Sequence, residues 1–322
     1  MEKLNKLFKW VRSARKNAKI KKINVLQSKI GLISKESFIK KMFALRVGYK
    51  LNLRHPKTFN EKMQWIKMHY KNPNQTKKVD KILVREFVKE KIGEQYLIPI
   101  FGCWDSLNIS SFECMPDEFV LKCNHDSGSY FVCTNKENIV DKIDLINYFN
   151  EKLKDNYYFH FYENPYFRVQ PKVLCEKLLK PKNGSIVDYK FYIFHGAFRM
   201  LMICLDRGTS KEKKIFYDDK LNVMPVTRKK GEKTDSSFVL PTTVDKMIVL
   251  AKTLASDDFF ARVDFYDCDG SIYFGEITYF PGSGALNFYP KKYDYIIGSW
   301  LDLNKIKESK YYIDKYDERY YF

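Results

Sequence analysis

The sequence of 322 residues contains no stretch approaching the roughly 20 apolar residues that a membrane-spanning helix needs. Its first residues lack the apolar core of a signal peptide. The seven cysteines are scattered, an odd number without a close CxxC pair, which disfavours a zinc site and a disulfide framework. Internal repeats and low-complexity segments are also lacking. These absences predict a cytoplasmic protein with reduced, mostly buried thiols.

Two catalytic signatures are missing as well. The GxxxxGK[ST] spacing of a P-loop does not occur. Neither a GxSxG elbow nor a serine–histidine–acid order supports hydrolase chemistry. Ser127 and Ser129 are therefore not expected to be nucleophiles, and His125 beside them is either a general base or a solvated loop histidine.

Positive charge is abundant but unevenly placed. The formal net charge is +18, and ten basic residues fall within the first 30 positions against one acid, Glu2. Leu4, Leu7, Phe8 and Val11 follow helical spacing among these lysines and arginines. The segment is typical of a helix that lies on an anionic membrane surface, or of one that packs on the protein by its apolar stripe. This clustering weakens the prediction of specific nucleic-acid binding.

The remaining chain has the pattern of a folded α+β protein. Hydrophobic residues make up 45% and aromatic residues 16%, enough for one large or two to three smaller units. Helical patterns dominate up to Gly93, and a capping box at Thr58 and Glu61 begins the second helix. Strands then alternate with helices, which favours mixed sheets over a helical bundle.

Near the C-terminus, residues 261–284 predict a β-hairpin with a charged face. A three-residue loop at 269–271 would place Asp264 opposite Glu276 and Arg262 opposite Thr278. Because side chains alternate along strands, these four share one face. Two carboxylates that point at one position repel each other unless a cation lies between them, and their oxygens suit magnesium. The alternative is a hairpin with a solvated polar face.

Two further segments have the character of a phosphate and base site. An apolar strand ends in Lys122 and leads into a loop of small residues, Ser127, Gly128 and Ser129, whose N–H groups could face phosphate oxygens. An apolar strand at 173–179 carries the single acid Glu176, as hinges that sandwich adenine do. The alternatives are an ordinary turn and an ordinary ion pair.

Taken in chain order, these elements resemble the ATP-grasp superfamily, in which two α+β lobes clasp ATP. The resemblance places Lys122 and its small-residue loop at the phosphates, and Glu176, Lys177 and Leu178 at the adenine hinge. It assigns Asp188 to the ribose and Lys190 to the phosphates. Arg262, Asp264 and Glu276 match the R-x-D and E-x-N signature for phosphate and magnesium, with Thr278 in place of the usual asparagine.

More narrowly, the chain resembles the TupA-like ATP-grasp family, linked to teichuronopeptide and capsule-type polysaccharide assembly. The resemblance covers roughly residues 40 to 303, and its longest supporting segment runs from His55 to Trp65. The predicted domains are a basic arm, an N-terminal helical and α/β subdomain, an ATP-grasp lid, an ATP-grasp catalytic subdomain and a tyrosine-rich tail, at residues 1–33, 34–117, 118–176, 177–303 and 304–322.

The resemblance implies an ATP-dependent carboxylate–amine ligase that uses Mg²⁺ and forms an acyl phosphate. Lys122, Lys190 and Arg262 would act on the phosphates and the acyl phosphate, while Asp264, Glu276 and Thr278 would face the metal. The family context suggests a uronic acid as the carboxylate and an amino acid or small amino alcohol as the amine, handled in the cytoplasm or at the inner face of the membrane. A glycosyltransferase of the same pathway and a non-catalytic protein that binds membranes or polyanions are the alternatives.

Overall fold

The computed structural model describes residues 23, 33–182, 184–207 and 209–314. The predicted amphipathic helix around Leu4 to Val11 and the last residues of the tail lie outside these ranges. Within them the protein contains two antiparallel sheets and a set of short helices, which confirms the predicted α+β class. No helix of the described ranges is long and apolar enough to cross a membrane.

The chain first forms four helices, of which the last three contribute side chains to the main core with the larger sheet, while the first packs in separate small clusters. They are α1 (Lys35–Val47), α2 (Phe59–His69), α3 (Asn74–Val79) and α4 (Val84–Lys91). The predicted capping box is confirmed, because the Thr58 hydroxyl accepts from the Glu61 N–H while Glu61 accepts from the Thr58 N–H. This box fixes the direction in which α2 enters the core.

The smaller sheet has the strand order β1-β4-β2-β3. Its members are β1 (Ile100–Trp104), β2 (Phe119–Cys123), β3 (Tyr130–Cys133) and β4 (Val173–Glu176), with α5 (Ile109–Glu113), α6 (Lys142–Lys152) and α7 (Tyr158–Phe161) in the connections. Phe112, Phe119 and Phe149 form a separate apolar core beneath it. The first strand comes from residues before 118, so this sheet combines parts of two predicted domains, and the boundaries stay predictions.

The larger sheet has the strand order β7-β6-β5-β8-β9. It contains β5 (Val187–Phe194), β6 (Ala197–Leu205), β7 (Lys213–Tyr217), β8 (Phe260–Cys268) and β9 (Ser271–Thr278), with α8 (Val244–Leu254), α9 (Lys292–Ser299) and α10 (Leu303–Lys307). Helix α8 packs against β5 and β8, and the buried side chains of Val263, Phe265 and Ile277 belong to the main core. The opposite face of β8 and β9 carries the charged residues.

Candidate functional site

A cleft of about 300 Å³ is lined by residues of both sheets. From the smaller sheet come the end of β2, the loop after it and the end of β4, and from the larger sheet come β5, β8 and β9. The lining includes the predicted residues Lys122, Ser127, Gly128, Ser129, Glu176, Lys177, Leu178, Asp188, Asp264 and Glu276. Lys190, Arg262 and Thr278 are joined to this lining by hydrogen bonds. The structure therefore brings together the residues predicted to bind the nucleotide and the metal.

The hairpin of β8 and β9 pairs its charged residues as predicted, but its turn and strand geometry differ from the prediction. Asp264 pairs with Glu276, and Arg262 pairs with Thr278. The predicted three-residue loop is wrong, because Cys268 already pairs with Ser271 and only two residues form the turn.

Gly270 in the turn and Gly275 in β9 explain this geometry. Asp269 and Gly270 both have positive φ, of 53° and 82°, as a two-residue turn between twisted strands requires. A bulge then adds one residue at Gly275, which restores the register. A Cβ at Gly275 would lie 3.1 Å from the Asp264 carbonyl oxygen, so a side chain there would crowd the paired strand.

Arg262 is the cation between the two carboxylates in this structure. Its Nε and Nη2 donate to the two oxygens of Asp264 at 2.7 Å each, and Nη2 also donates to Glu276 at 2.8 Å and to the Thr278 hydroxyl at 3.0 Å. Lys190 lies 2.5 Å from Asp264 on the other side. The planar guanidinium thus fixes both acids in one geometry.

The acids differ in exposure and in their pKa values. Burial raises the pKa of Asp264, against the opposing charges of Arg262 and Lys190. Burial also acts to raise the pKa of Glu276, but Arg262, Lys81, Lys190 and Arg207 outweigh it and lower this pKa to about 2. Both acids line the cleft. Glu276, whose side chain is 30% exposed against 2% for Asp264, is the more open of the two and stays ionised.

The smaller sheet contributes a second charged group. Lys122 and Glu176 come from the paired strands β2 and β4, and their side chains lie 2.5 Å apart. The loop after Lys122 turns at Gly128, where φ is 119° and a Cβ would meet no atom within 4 Å. The Ser129 hydroxyl donates to Asp126, while His125 is buried against the carbonyl of Lys152 and does not line the cleft. The loop therefore presents open backbone to the cleft.

Sequence reasoning missed two cations of the cleft. Arg207, two residues beyond β6, donates to Asp188 at 3.0 Å. Lys81, between α3 and α4, donates to the Asp126 carbonyl at 2.6 Å. Burial lowers the pKa of Lys81, while the charge of Glu276 raises it. Arg207 could have been suspected as a basic residue at the end of the strand beside Asp188, but nothing in the local sequence marks Lys81.

The donor set decides which groups the cleft could hold. The described part of the chain contains no cluster of three or more His, Cys, Asp or Glu residues that could hold a metal by themselves. Two carboxylates at one end of the cleft suit a hard cation that takes its other oxygens from water or phosphate. Asp188 Oδ1 is buried without a hydrogen-bond partner, so it could accept from a hydroxyl group of a ligand. The arrangement fits a magnesium–nucleotide complex.

Comparisons with known proteins identify one family. A family model described as TupA-like ATPgrasp matches residues 61–302. No curated protein matches the chain.

Several solved structures are similar to it. A D-alanine–D-alanine ligase from Bacillus anthracis complexed with ATP has 16% identity and a TM-score of 0.40, with 86% of each chain covered. The ATP-grasp ligase PsnB complexed with a minimal precursor, Mg and ADP has 10% identity, a TM-score of 0.37, and coverage of 70% of this chain and 56% of that one. The D-Alanine-D-Alanine ligase from Helicobacter pylori has 13% identity, a TM-score of 0.38, and coverage of 70% and 63%. The chain thus spans little more than half the length of PsnB.

Proposed function

The chain belongs to the TupA-like ATP-grasp family, whose model matches residues 61–302, and from this premise we propose that it is an ATP-dependent carboxylate–amine ligase. The observation that supports this most strongly is the group of Arg262, Asp264 and Glu276 facing Lys122 across one cleft. Such a site offers cationic side chains to the phosphate oxygens and carboxylates to a metal ion bound with them. It does so at the junction of two sheets, where a ligand can be enclosed.

The proposed reaction has two steps. A substrate carboxylate oxygen attacks the γ-phosphorus of ATP, the bond to the β-phosphate oxygen breaks, and ADP leaves with that electron pair. The amine nitrogen then attacks the acyl carbon, phosphate leaves, and the nitrogen loses a proton to give the amide. Little covalent chemistry is asked of the protein, which contributes in-line positioning and neutralisation of charge.

Each side of the cleft has a proposed part in nucleotide binding. Lys122 and the loop of Ser127, Gly128 and Ser129 would hold phosphates, while the hinge from Glu176 to Leu178 would hold adenine. The N–H of Lys177 already donates to the Pro99 carbonyl at 2.9 Å, so adenine would use the other hinge groups. Asp188 would accept from the ribose through its unpaired Oδ1.

Magnesium would be held by Asp264 and Glu276 together with phosphate oxygens, and when bound it neutralises the phosphate charge that develops during transfer. Arg262 and Lys190, which engage those acids in this structure, would then face the phosphates and the acyl phosphate. The Thr278 hydroxyl donates to Glu276 at 3.1 Å and accepts from Arg262. We propose that this pair of bonds orients Glu276, whether or not Thr278 also contacts the metal.

For the substrates we propose a uronic-acid carboxylate of a nucleotide sugar or surface glycan, and an amino acid or small amino alcohol. This proposal follows the family context of polysaccharide assembly at the cytoplasmic side of the membrane. The ten basic residues among the first 30 would attract an anionic surface. Deleting residues 1–30 should lower liposome binding, and unchanged binding would refute the attachment.

The test is calorimetric binding of a non-hydrolysable ATP analogue with magnesium to the native chain and to Glu276→Gln. We expect magnesium-dependent binding that weakens at least about tenfold in the variant, since the metal loses the charged carboxylate of Glu276. Glu118→Gln is the matched control, because Glu118 is exposed and forms its ion pair with the exposed Lys180. Native binding would justify screening uronic acids against amines for ADP release. No binding, even with candidate acids present, would contradict the proposal and favour a glycosyltransferase, tested by hydrolysis of sugar nucleotides.

A further inference from the structure

A second cavity, of about 230 Å³, lies between the end of α1, the cap of α2 and residues 286–295. None of the described residues lines both this cavity and the nucleotide cleft. Its volume is below the roughly 300–1,000 Å³ of pockets that hold drug-sized ligands, so it suits a small molecule. Four of its lining side chains are aromatic, namely Tyr49, Phe288, Tyr289 and Tyr295, and two are charged, Lys291 and Asp294.

The two charged residues of this cavity lie on one side of α9 but do not pair with each other. Lys291 precedes the first residue of the helix and Asp294 lies in its first turn, a spacing that brings Cβ atoms within about 5–6 Å on a helix. The Lys291 ammonium nevertheless lies over the Tyr49 ring, 5.8 Å from its centre. The hydroxyl of the same ring donates to Asp294 at 2.9 Å. One tyrosine therefore lies between a cation and an anion of the same cavity.

Asp294 forms the buried end of the cavity. It is 5% exposed, and it accepts from the Asn60 N–H at 3.1 Å, from the Asn60 amide at 2.7 Å and from the Tyr49 hydroxyl. These donors are neutral, and within the described part of the chain no ion pair includes Asp294. Burial raises the pKa of Asp294, against these hydrogen bonds. A buried carboxylate without a cation is costly to the folded protein, and a positively charged group of a ligand would offset that cost.

Lys291 forms the open end of the cavity. It is exposed, and no ion pair with another described residue includes it. Its distance from the Tyr49 ring is within the range of a cation–π contact. Such a contact uses the face of the ring and leaves N–H donors of the ammonium to other partners. An anionic group of a ligand can therefore be held at this end.

Hydrogen bonds hold the walls of the cavity in place. Tyr289 exchanges two backbone hydrogen bonds of 2.9 Å with Thr227. The backbone of Leu286 donates to the Asn60 side chain at 2.7 Å and accepts from it at 2.8 Å. The cavity is thus formed before a ligand arrives, which lowers the cost of binding.

We propose that this cavity binds an amino acid as a zwitterion, with its ammonium group facing Asp294, its carboxylate facing Lys291 and its side chain against the aromatic walls. Opposite charges at the two ends of the cavity match opposite charges on the ligand. An acid without an amino group would be repelled by Asp294, and an amine without a carboxylate would be repelled by Lys291. A neutral ligand would leave both charges without a partner. The inference goes beyond the proposed ligase function and does not depend on it, because the cavity and the nucleotide cleft have separate linings.

The test is calorimetric titration of the nucleotide-free chain with L-alanine, L-serine, L-glutamate and L-lysine. Each is compared with its amino alcohol, which lacks the α-carboxylate, and with the acid that lacks its α-amino group. The proteins are the native chain, Lys291→Glu and the control Lys292→Glu, which makes the same charge change at an exposed neighbour outside the cavity lining. Native chain and control should bind at least one amino acid about tenfold or more tightly than both of its analogues. Lys291→Glu should bind that amino acid about tenfold or more weakly and should prefer the amino alcohol.

The reversed preference of Lys291→Glu separates recognition of charge from a loss of fold, because an unfolded variant would bind neither compound. Mg–nucleotide affinity is measured separately and judges the ligase proposal alone. It should be the same in all three proteins, because neither lysine lines the nucleotide cleft. The inference would be overturned if the native chain bound none of the four amino acids, if it bound the amino alcohol as tightly as the amino acid, or if Lys291→Glu kept the native affinity.

Discussion

The charged groups of the cleft are held mainly by one another, whereas two lysines of helix α2 are held by backbone carbonyls. In the cleft, Arg262 joins Asp264 and Glu276, and Lys122 joins Glu176. On α2, Lys62 donates to the carbonyls of Gly298 and Leu301, and Lys67 to that of Ser283.

The difference indicates two purposes for similar residues. A side-chain ion pair can open when a ligand offers better partners. The cations of the cleft could therefore turn from their carboxylates to phosphate, and the carboxylates could turn to a metal ion. A lysine that satisfies buried backbone carbonyls has no such alternative, because opening it leaves those carbonyls unpaired. Helix α2 therefore holds the segment that follows β9, and the cleft remains adjustable.

The largest expected effect is a loss of stability at α2. Asn60 is fully buried, and its side chain donates to the Leu286 carbonyl and to Asp294 and accepts from the Leu286 N–H. Asn60→Leu removes all three bonds and leaves the Asp294 carboxylate with less compensation, so we expect a loss of about 3–5 kcal/mol in the free energy of unfolding. Urea unfolding measures it, with the exposed Asn74→Leu as the control.

A small loss of stability would remove the distinction between helix α2 and the cleft. A loss below about 1 kcal/mol for Asn60→Leu, similar to a surface substitution, would mean that α2 does not hold the segment after β9. The distinction between a fixed and an adjustable network would then have no basis. Retained Mg–nucleotide binding in a destabilised but folded variant would support it.

The second effect concerns the cleft alone. Arg262→Lys keeps the charge but loses the fork that contacts Asp264, Glu276 and Thr278 together. We expect ligase turnover to fall about 100-fold or more, with a much smaller change in stability than in Asn60→Leu. The control is Arg199→Lys, since Arg199 is exposed and 3.6 Å from Asp219. Turnover within about threefold of the native value would show that a point charge suffices there.

Parts of this site could be predicted from the sequence because they depend on local rules. The alternation of side chains gave the shared face of Arg262, Asp264, Glu276 and Thr278, and the structure confirms it. The loop length was wrong because the bulge at Gly275, which adds a residue, leaves no unambiguous signal in a strand pattern.

Other parts depend on contacts between distant residues. Asn60 and Leu286 are 226 positions apart, so the capping box of α2 could be predicted but the segment that α2 holds could not. Arg207 reaches Asp188 because β5 and β6 are neighbours, and Lys81 reaches the loop at Asp126 through the packing of the helical region against the smaller sheet. Such positions follow from topology, which the pattern of a single segment does not specify.

The smallest expected effect is the pH dependence of the stabilisation that the Glu276 carboxylate contributes. The pKa of Glu276 is lowered from 4.5 to about 2 by Arg262, Lys81, Lys190 and Arg207, although burial opposes this. A carboxylate with a lowered pKa stabilises the folded state fully above its unfolded value of 4.5, and this contribution is lost as pH falls from 4.5 towards 2. Because the side chain is partly exposed to solvent, we expect about 1–2 kcal/mol.

The measurement is the free energy of unfolding of the native chain and of Glu276→Gln at several pH values between about 2 and 6. The native chain should lose its advantage over Glu276→Gln as pH falls from 4.5 towards 2, because the folded carboxylate becomes neutral, like the glutamine, only near the lower value. Glu118→Gln, on the exposed pair with Lys180, should show a much smaller change with pH. A difference between native chain and Glu276→Gln that is constant with pH would mean that the cations of the cleft do not act on Glu276. The proposal that nucleotide and metal take their partners from a mutually neutralised network would then lose its basis.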